Sequence, residues 1–332
     1  MTEQWKRKRE ILQLLQQGEF VSGEKLAEQL GVSRTAVSKH ISALTAFGID
    51  IFSVKGKGYK LARSLHLIDK PRLLSAIDNR CFYFDELGGT NTFLLNHVDE
   101  LSNGDLCIAE YQYAGRGRRG RQWLSPYGSH LYFSMYWQFS QGLSQAMGLS
   151  LVVACSLVSV LESFGIAGLG VKWPNDIYLD GRKLAGVLIE MSGTADSECD
   201  LVIGIGLNMA MPAELGEQLD QPWSDLSGLE SMPDKTELAI NLHQQLLKDI
   251  KLFETQGLAA FSTRCRVPIS LPVNRSNCCW VNSKLAATTW EWMSKVALFC
   301  RQIQAHSILS AGKSAYAALD YFRSSTLSIR WS

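Results

Sequence analysis

The chain has 332 residues, 46% hydrophobic and 20% charged, with 33 basic against 32 acidic side chains and a formal net charge of +1. That balance excludes wholesale disorder and a chain that is basic throughout, and the length predicts two or three domains. The longest mostly apolar run, residues 149–161, is broken by Ser150, Ser156 and Ser159 and is too short to span a bilayer. The charged start MTEQWKRKRE holds no secretory signal, so a cytoplasmic protein with no membrane partner is expected. Eight cysteines form no CxxC pair and no HExxH occurs, so reduced thiols and no protein-held metal are expected.

In chain order, residues 6–17 place Ile11, Leu12, Leu14 and Leu15 at helical spacing. Ser22 is a candidate cap for a second helix over 23–30, Gly31-Val32 makes a turn, and Ser33 is a candidate cap for a third helix to about Ala46. Two short helices joined by a glycine turn form a helix-turn-helix. The third helix offers Arg34, Thr35, Ser38, Lys39 and His40, side chains suited to phosphates and base edges. Residues 51–54 and 59–61 read as a hairpin around Lys55-Gly56-Lys57-Gly58, a basic wing. Caps, turn, polar face and wing together predict DNA binding through Ser22, Ser33, Arg34, Thr35, Ser38, Lys39, His40, Lys55 and Lys57. This segment resembles the winged helix-turn-helix of bacterial repressors.

Residues 67–260 alternate strand-like and helix-like segments: strands at 130–139, 187–191 and 201–207, helices at 146–164 and 238–255. Their uneven spacing predicts α+β architecture. Four places concentrate chemistry. In Gly115-Arg116-Gly117-Arg118-Arg119-Gly120, followed by Arg121 and Trp123, the charge run alone reads as a solvated basic loop, while the flanking glycines and Trp123 suit a mobile loop that closes over a phosphate-bearing ligand. In Lys172-Trp173-Pro174-Asn175-Asp176 the proline stops a helix and displays its polar neighbours. Arg182-Lys183-Leu184-Ala185-Gly186 puts Lys183 ahead of a buried strand, and Gly204-Ile205-Gly206-Leu207-Asn208-Met209 allows close approach and ends on Asn208.

Residues 265–332 differ from everything before them. They hold eight basic and two acidic side chains, against 25 and 30 for residues 1–264, and four cysteines and four tryptophans but one glycine. That composition reads as translation out of frame and predicts poor order, the other reading being a lineage-specific domain.

Together and in this order, Gly89-Thr90-Asn91, GRGRRG, KWPND, RKLAG and GIGLNM resemble the biotin–protein ligases of the bifunctional kind that also repress the biotin operon, from about residue 3 to 264. The resemblance implies an α+β fold in three parts. These are a winged helix-turn-helix at 1–63, a central biotin/lipoate ligase-like domain at 67–260 with a mixed, largely antiparallel sheet, and a tail at 265–332 unlike the family's SH3-like barrel. It implies ATP, biotin and magnesium as reactants and cofactors. The implied partners are the biotin carboxyl carrier protein of acetyl-CoA carboxylase, operator DNA and a second copy of the chain in a homodimer promoted by biotinyl-5′-AMP. The biotin contacts implied are Gly89, Thr90, Asn91, Gln112, Arg116, Gly117, Arg118 and Lys183; the nucleotide contacts are Arg119, Arg121, Trp123, Asn175 and Asn208. Lys183, Arg116, Arg118 and Lys172 would neutralise the two anions that must meet, and Asp176 would serve as base for the carrier lysine or take a magnesium or structural role. Gly89 stands where the family carries serine, which costs one hydrogen bond, about 1 kcal/mol. Two other functions fit the same motifs: a biotin-sensing repressor that has lost ligase activity, and a lipoate- or octanoate-handling enzyme.

Overall fold

The computed structural model describes residues 3–139, 148–172, 175–193 and 199–261, all within one compact unit spanning Met1–Cys279. The expectations for 265–332, and for Trp173 and Pro174, lie outside the described residues.

Helices α1 (Glu3–Leu15), α2 (Gly23–Leu30) and α3 (Arg34–Ala46) precede a hairpin of β1 (Ile51–Val54) and β2 (Gly58–Leu61). The expected caps form: Ser22 Oγ accepts from the Lys25 N–H, Ser33 Oγ accepts from the Ala36 N–H, and Gly31 ends α2 in the left-handed region at φ 61°. Ile11, Leu12 and Leu15 are fully buried with Leu26, Val37, Ile41 and Leu44. Gly58 is obligatory, because its φ is +102° and a Cβ there would lie 2.1 Å from the Val21 carbonyl oxygen. That close approach pins the wing beside Val21, which pairs with Tyr59. Helix α1 starts three residues before the expected position because Trp5 stacks on Tyr127, with centroids 5.3 Å apart.

After α4 (Lys70–Ala76) come β3 (Cys81–Phe84), α5 (Thr90–Leu95), β4 (Leu106–Ala109), β5 (His130–Phe139), α6 (Leu149–Ser163), β6 (Leu169–Lys172), β7 (Asp176–Leu179), β8 (Arg182–Gly193), β9 (Cys199–Asn208), α7 (Ala213–Gly216) and α8 (Lys235–Gln256). The sheet runs β3-β4-β5-β9-β8-β7-β6; only β3 and β4 are parallel, giving the mixed, largely antiparallel sheet expected. Helix α8 covers one face, where Trp137 Nε1 donates to Glu254 and Phe139 meets Phe253. Helix α5 lies on the other, with Leu94 against Tyr136 and Val202. No helix among the described residues is long and apolar enough to cross a membrane.

The helical N-terminal part docks on the sheet through ions as well as rings. Arg9 of α1 donates to Asp85 at 3.0 Å and to the Tyr83 hydroxyl and the Ile68 carbonyl, and lies 3.9 Å from Glu110. Glu110 also accepts from Lys235 at 2.6 Å and from the Ile68 N–H at 2.7 Å. Burial raises the Asp85 pKa above its usual value, against the pull of Arg9, and burial lowers that of Lys235.

His130 at the start of β5 is fully buried. Its Nδ1 accepts from the Met209 N–H, and its Nε2 has no partner. Burial, with Lys235 and Arg63 nearby, lowers its pKa from 6.5 to about 3. The unfolded chain therefore takes up a proton below pH 6.5 that the folded chain refuses. The stability contribution is full above that pH and falls by about 1.4 kcal/mol per pH unit as the pH drops toward 3. His66 and His243, also held low by burial, add to the slope. Thermal melts at pH 7, 6 and 5 are expected to show a shallower loss for His130→Gln than for the parent chain. Equal slopes would refute the assignment.

Candidate functional site

The site lies on the α5 face of the sheet. Gly186 pairs with Gly206, Leu188 with Gly204, and Gly204 with Ser134 of β5. These glycines clear space for two site side chains. A Cβ on Gly204 would lie 2.2 Å from Asn91 Oδ1, and one on Gly206 would lie 2.5 Å from the Trp123 ring. Lys183 reaches the same face through an irregularity. Ile177 pairs with Ala185 but Tyr178 with Lys183, so Leu184 is an extra residue and the alternation flips. Without that bulge Lys183 would share the opposite face with Ala185 and Val187. The expected buried strand at 187–191 is thus the second half of a longer one, with Lys183 inside it.

Above this floor is a cavity of about 320 Å³. It is lined by Gly89, Thr90, Asn91, Gln112, Arg116, Gly117, Arg118, Arg119, Arg121, Trp123, Asn175, Asp176 and Lys183, all singled out in the sequence. Lys172 and Asn208 are not among its lining residues. The Lys172 amine donates to the Tyr178 hydroxyl at 3.1 Å, and Asn208 is buried with its amide donating to the Ser224 carbonyl. Gln221, Thr92 and Phe133, which carry no motif, also line it.

One end of the cavity is a hydrogen-bonded floor. Gln112 Oε1 accepts from the Thr90 N–H at 2.8 Å, and the Gln112 amide donates to Ser125 Oγ. Ser134 Oγ lies 2.6 Å from both Thr90 Oγ1 and Asn91 Oδ1, and the Asn91 amide donates to the Leu188 carbonyl and to Glu190. A Cβ on Gly89, whose backbone is extended, meets its neighbours no closer than 3.4 Å, so the missing side chain relieves no crowding.

The other end is cationic. The basic loop folds into a short hairpin, with the Gly117 N–H on the Arg121 carbonyl, the Trp123 N–H on the Gly115 carbonyl and Arg119 left-handed at φ 57°. Arg118 donates to Asn175 Oδ1 at 3.0 Å. Lys183 pairs with Asp176 at 3.0 Å and lies over the Trp123 ring, while Arg116 pairs with Glu190 at 2.9 Å. Among the described residues Arg118, Arg119 and Arg121 have no carboxylate partner, so they supply the net positive field of the cavity. Asp176 is the one carboxylate among the lining residues, and no group of three metal-ligating side chains occurs among the described residues.

On α3, Arg34, Thr35, Ser38 and Lys39 are exposed together with Ser42, and Lys55 and Lys57 are exposed on the wing. His40 is set apart from them, half-buried toward α1, where burial and the charges of Lys8 and Arg7 lower its pKa. The Ser22 and Ser33 hydroxyls face helix N–H groups, and Arg34 pairs with Glu24 at 2.8 Å.

Comparison with known proteins gives two family matches: the biotin/lipoate A/B protein ligase family over residues 83–208 and an HTH domain over residues 7–60. The bifunctional ligase/repressor BirA of Salmonella typhimurium is 44% identical over 255 residues, covering 76% of this chain and 80% of that protein. That of Escherichia coli is also 44% identical over 255 residues, covering 76% and 79%. Among solved structures, the Aquifex aeolicus biotin protein ligase in complex with biotin and ATP aligns at a TM-score of 0.47 and 27% identity, covering 57% of this chain and 77% of that one.

Proposed function

Because this chain belongs to the family of bifunctional biotin–protein ligase/repressors, we propose that it activates biotin with ATP to biotinyl-5′-AMP, transfers the biotinyl group to a lysine of the biotin carboxyl carrier protein of acetyl-CoA carboxylase, and represses the biotin operon when it holds the adenylate. The observation that carries this reading is the polarity of the cavity. At the floor, the hydrogen bonds consume both Asn91 donors and one N–H of Gln112, and leave lone pairs on Thr90 Oγ1 and Asn91 Oδ1. Acceptors there suit the two N–H groups of a ureido ring. Arginines and a lysine at the opposite end suit a carboxylate meeting a triphosphate.

In the first step the biotin carboxylate attacks the α-phosphorus, the bond from that phosphorus to the bridging oxygen breaks, and pyrophosphate leaves. No protein nucleophile is needed. Lys183, Arg116 and Arg118 hold the two anions together, and Arg119, Arg121, Trp123 and Asn175 surround the nucleotide. Lys172 and Asn208 do not line the cavity; Lys172 holds the Tyr178 hydroxyl of β7, and Asn208 ties the end of β9 to the Ser224 carbonyl. A magnesium ion bound by the triphosphate would need only one or two carboxylates from the protein. Asp176 is the group that would hold it, and that ion would neutralise phosphate charge. In the second step the carrier lysine attacks the acyl carbon and AMP leaves, with Asp176 taking the amine proton once the lysine it pairs with has turned to the phosphate.

Biotin-dependent ATP–pyrophosphate exchange, followed by transfer of labelled biotin to a carrier domain, tests the reading. Operator binding without exchange would make the protein a ligase-defective repressor, and displacement of biotin by lipoate would redirect the substrate.

For repression, residues 1–63 present Arg34, Thr35, Ser38 and Lys39 of α3 to the major groove and Lys55 and Lys57 of the wing to the backbone. Ser22 and Ser33 add hydroxyls at two helix starts, and His40 flanks the face. The dimer forms along β8. Its pairing with β7 ends at Gly186, so residues 188–193 have no strand partner on that side among the described residues, and Met191 is exposed there. Phosphate contacts from Arg34, Lys39, Lys55 and Lys57, eight per dimer, predict a slope of log K against log salt of about −7. Filter-binding titrations between 50 and 200 mM salt check it, and a slope shallower than about −3 would count against this face.

A further inference from the structure

Glu190 carries no motif and does not line the cavity, yet two cavity residues converge on it. Its carboxylate accepts from Asn91 Nδ2 at 2.9 Å and pairs with the Arg116 guanidinium at 2.9 Å, and it lies half-buried on β8 four residues after Gly186. Proton accounting fixes the direction of the bonds behind it. Asn91 Oδ1 and Gln112 Oε1 can only accept, so the single Ser134 proton goes to Asn91 and the threonine proton is shared between Ser134 Oγ at 2.6 Å and Gln112 Oε1 at 3.2 Å. The chain of contacts runs Thr90 to Ser134 to Asn91 to Glu190, and Arg116 donates into the same carboxylate. Both Asn91 N–H bonds are used, the second by the Leu188 carbonyl, so the amide cannot rotate without losing a charge-assisted bond.

We propose that Glu190 is a positioning residue. It fixes which face of the Asn91 amide looks into the cavity, and it anchors the basic loop to the sheet through Arg116. This rests on the biotin reading for the role of Asn91 and Arg116, but the clamp itself does not. By pairing with Arg116, Glu190 also leaves the net cationic field to Arg118, Arg119 and Arg121, at the end that would receive the phosphates.

Two measurements separate the clamp from the substrate assignment. The first uses the ligand-free full chain: timed trypsin cleavage within the 116–121 loop. Glu190→Gln, which keeps shape and the Asn91 bond but loses the ion pair, is expected to be cut several-fold faster, Glu190→Asp less so, and Arg116→Met as fast as Glu190→Gln. The second is the exchange reaction. Glu190→Gln is expected to raise the KM for biotin about tenfold with kcat within about twofold, and to change little when added to Arg116→Met. A general structural role would instead lower the melting temperature and kcat together. Unchanged cleavage, or a Glu190→Gln effect equally large in the Arg116→Met background, would overturn the proposal. If the parent chain shows no biotin-dependent exchange, the substrate assignment fails, while the cleavage rates still decide the clamp. If Glu190→Gln does not fold, the same decision falls to Glu190→Asp and Arg116→Met.

Discussion

Lys183→Ala is expected to lower biotin-dependent ATP–pyrophosphate exchange by a factor of about 10² to 10³ while leaving the protein folded. The reason is electrostatic. Two anions must approach to form the adenylate, and a preorganised cation between them acts at low local dielectric, where it does far more than in water. Lys183 already stands at the cavity, paired with Asp176 at 3.0 Å over the Trp123 ring, so a turn from that carboxylate to the phosphate is the one movement that precedes its use. Its side chain, 15% exposed, lines the cavity over the Trp123 ring and is not among the apolar core residues, so alanine there leaves neither a void in the apolar core nor an unpaired backbone group. Exchange rates and a thermal melt are measured on the same preparation. A folded variant that retains more than about a tenth of parental exchange would remove Lys183 from the chemistry.

Arg9→Leu is expected to cost about 3–5 kcal/mol of stability, because it leaves Asp85 and Glu110 buried with one cation fewer. For a folded body of this size that lowers the melting temperature by about 10 °C. Both carboxylates are almost wholly inaccessible, at 2% and 0% side-chain exposure, so water cannot replace the guanidinium. Arg34→Ala is the contrast: its pair with Glu24 is 70% and 64% exposed, and losing it is expected to change stability by less than about 1 kcal/mol. Replacing Arg9 and Asp85 together by Met and Asn should cost less than Arg9→Leu alone, since the second change removes part of the stranded charge. A melting temperature within about 2 °C of the parent for Arg9→Leu would mean that the docking of α1 does not depend on this network. The network sits directly before Tyr111 and Gln112, so loosening it also loosens one wall of the cavity.

What the chain announces locally came through intact. The serine caps and Gly31 depend on contacts within four residues, and β5 spans the ten residues whose strand-like pattern marked it. The motif residues were legible as chemistry for a related reason: three glycines among arginines, or a proline between tryptophan and asparagine, are costly in a core and mark places where function overrides packing. The membership of the cavity, from Thr90 to Lys183, follows from those motifs. What remained hidden depends on partners far apart in the chain. The bulge at Leu184 that turns Lys183 toward the cavity exists only against β7. Ser134 matters because register sets it opposite Gly204, and Glu190 matters because Asn91 and Arg116, 99 and 74 residues away, end on its carboxylate. Arg9 reads as one more basic residue on a charged helix until β3, β4 and α8 bring Asp85, Glu110 and Lys235 around it. Periodicity and turn chemistry are short-range properties and can be read along the chain. Strand register and the pairing of buried charges are set by which surfaces meet once the chain has collapsed, and no local pattern encodes them.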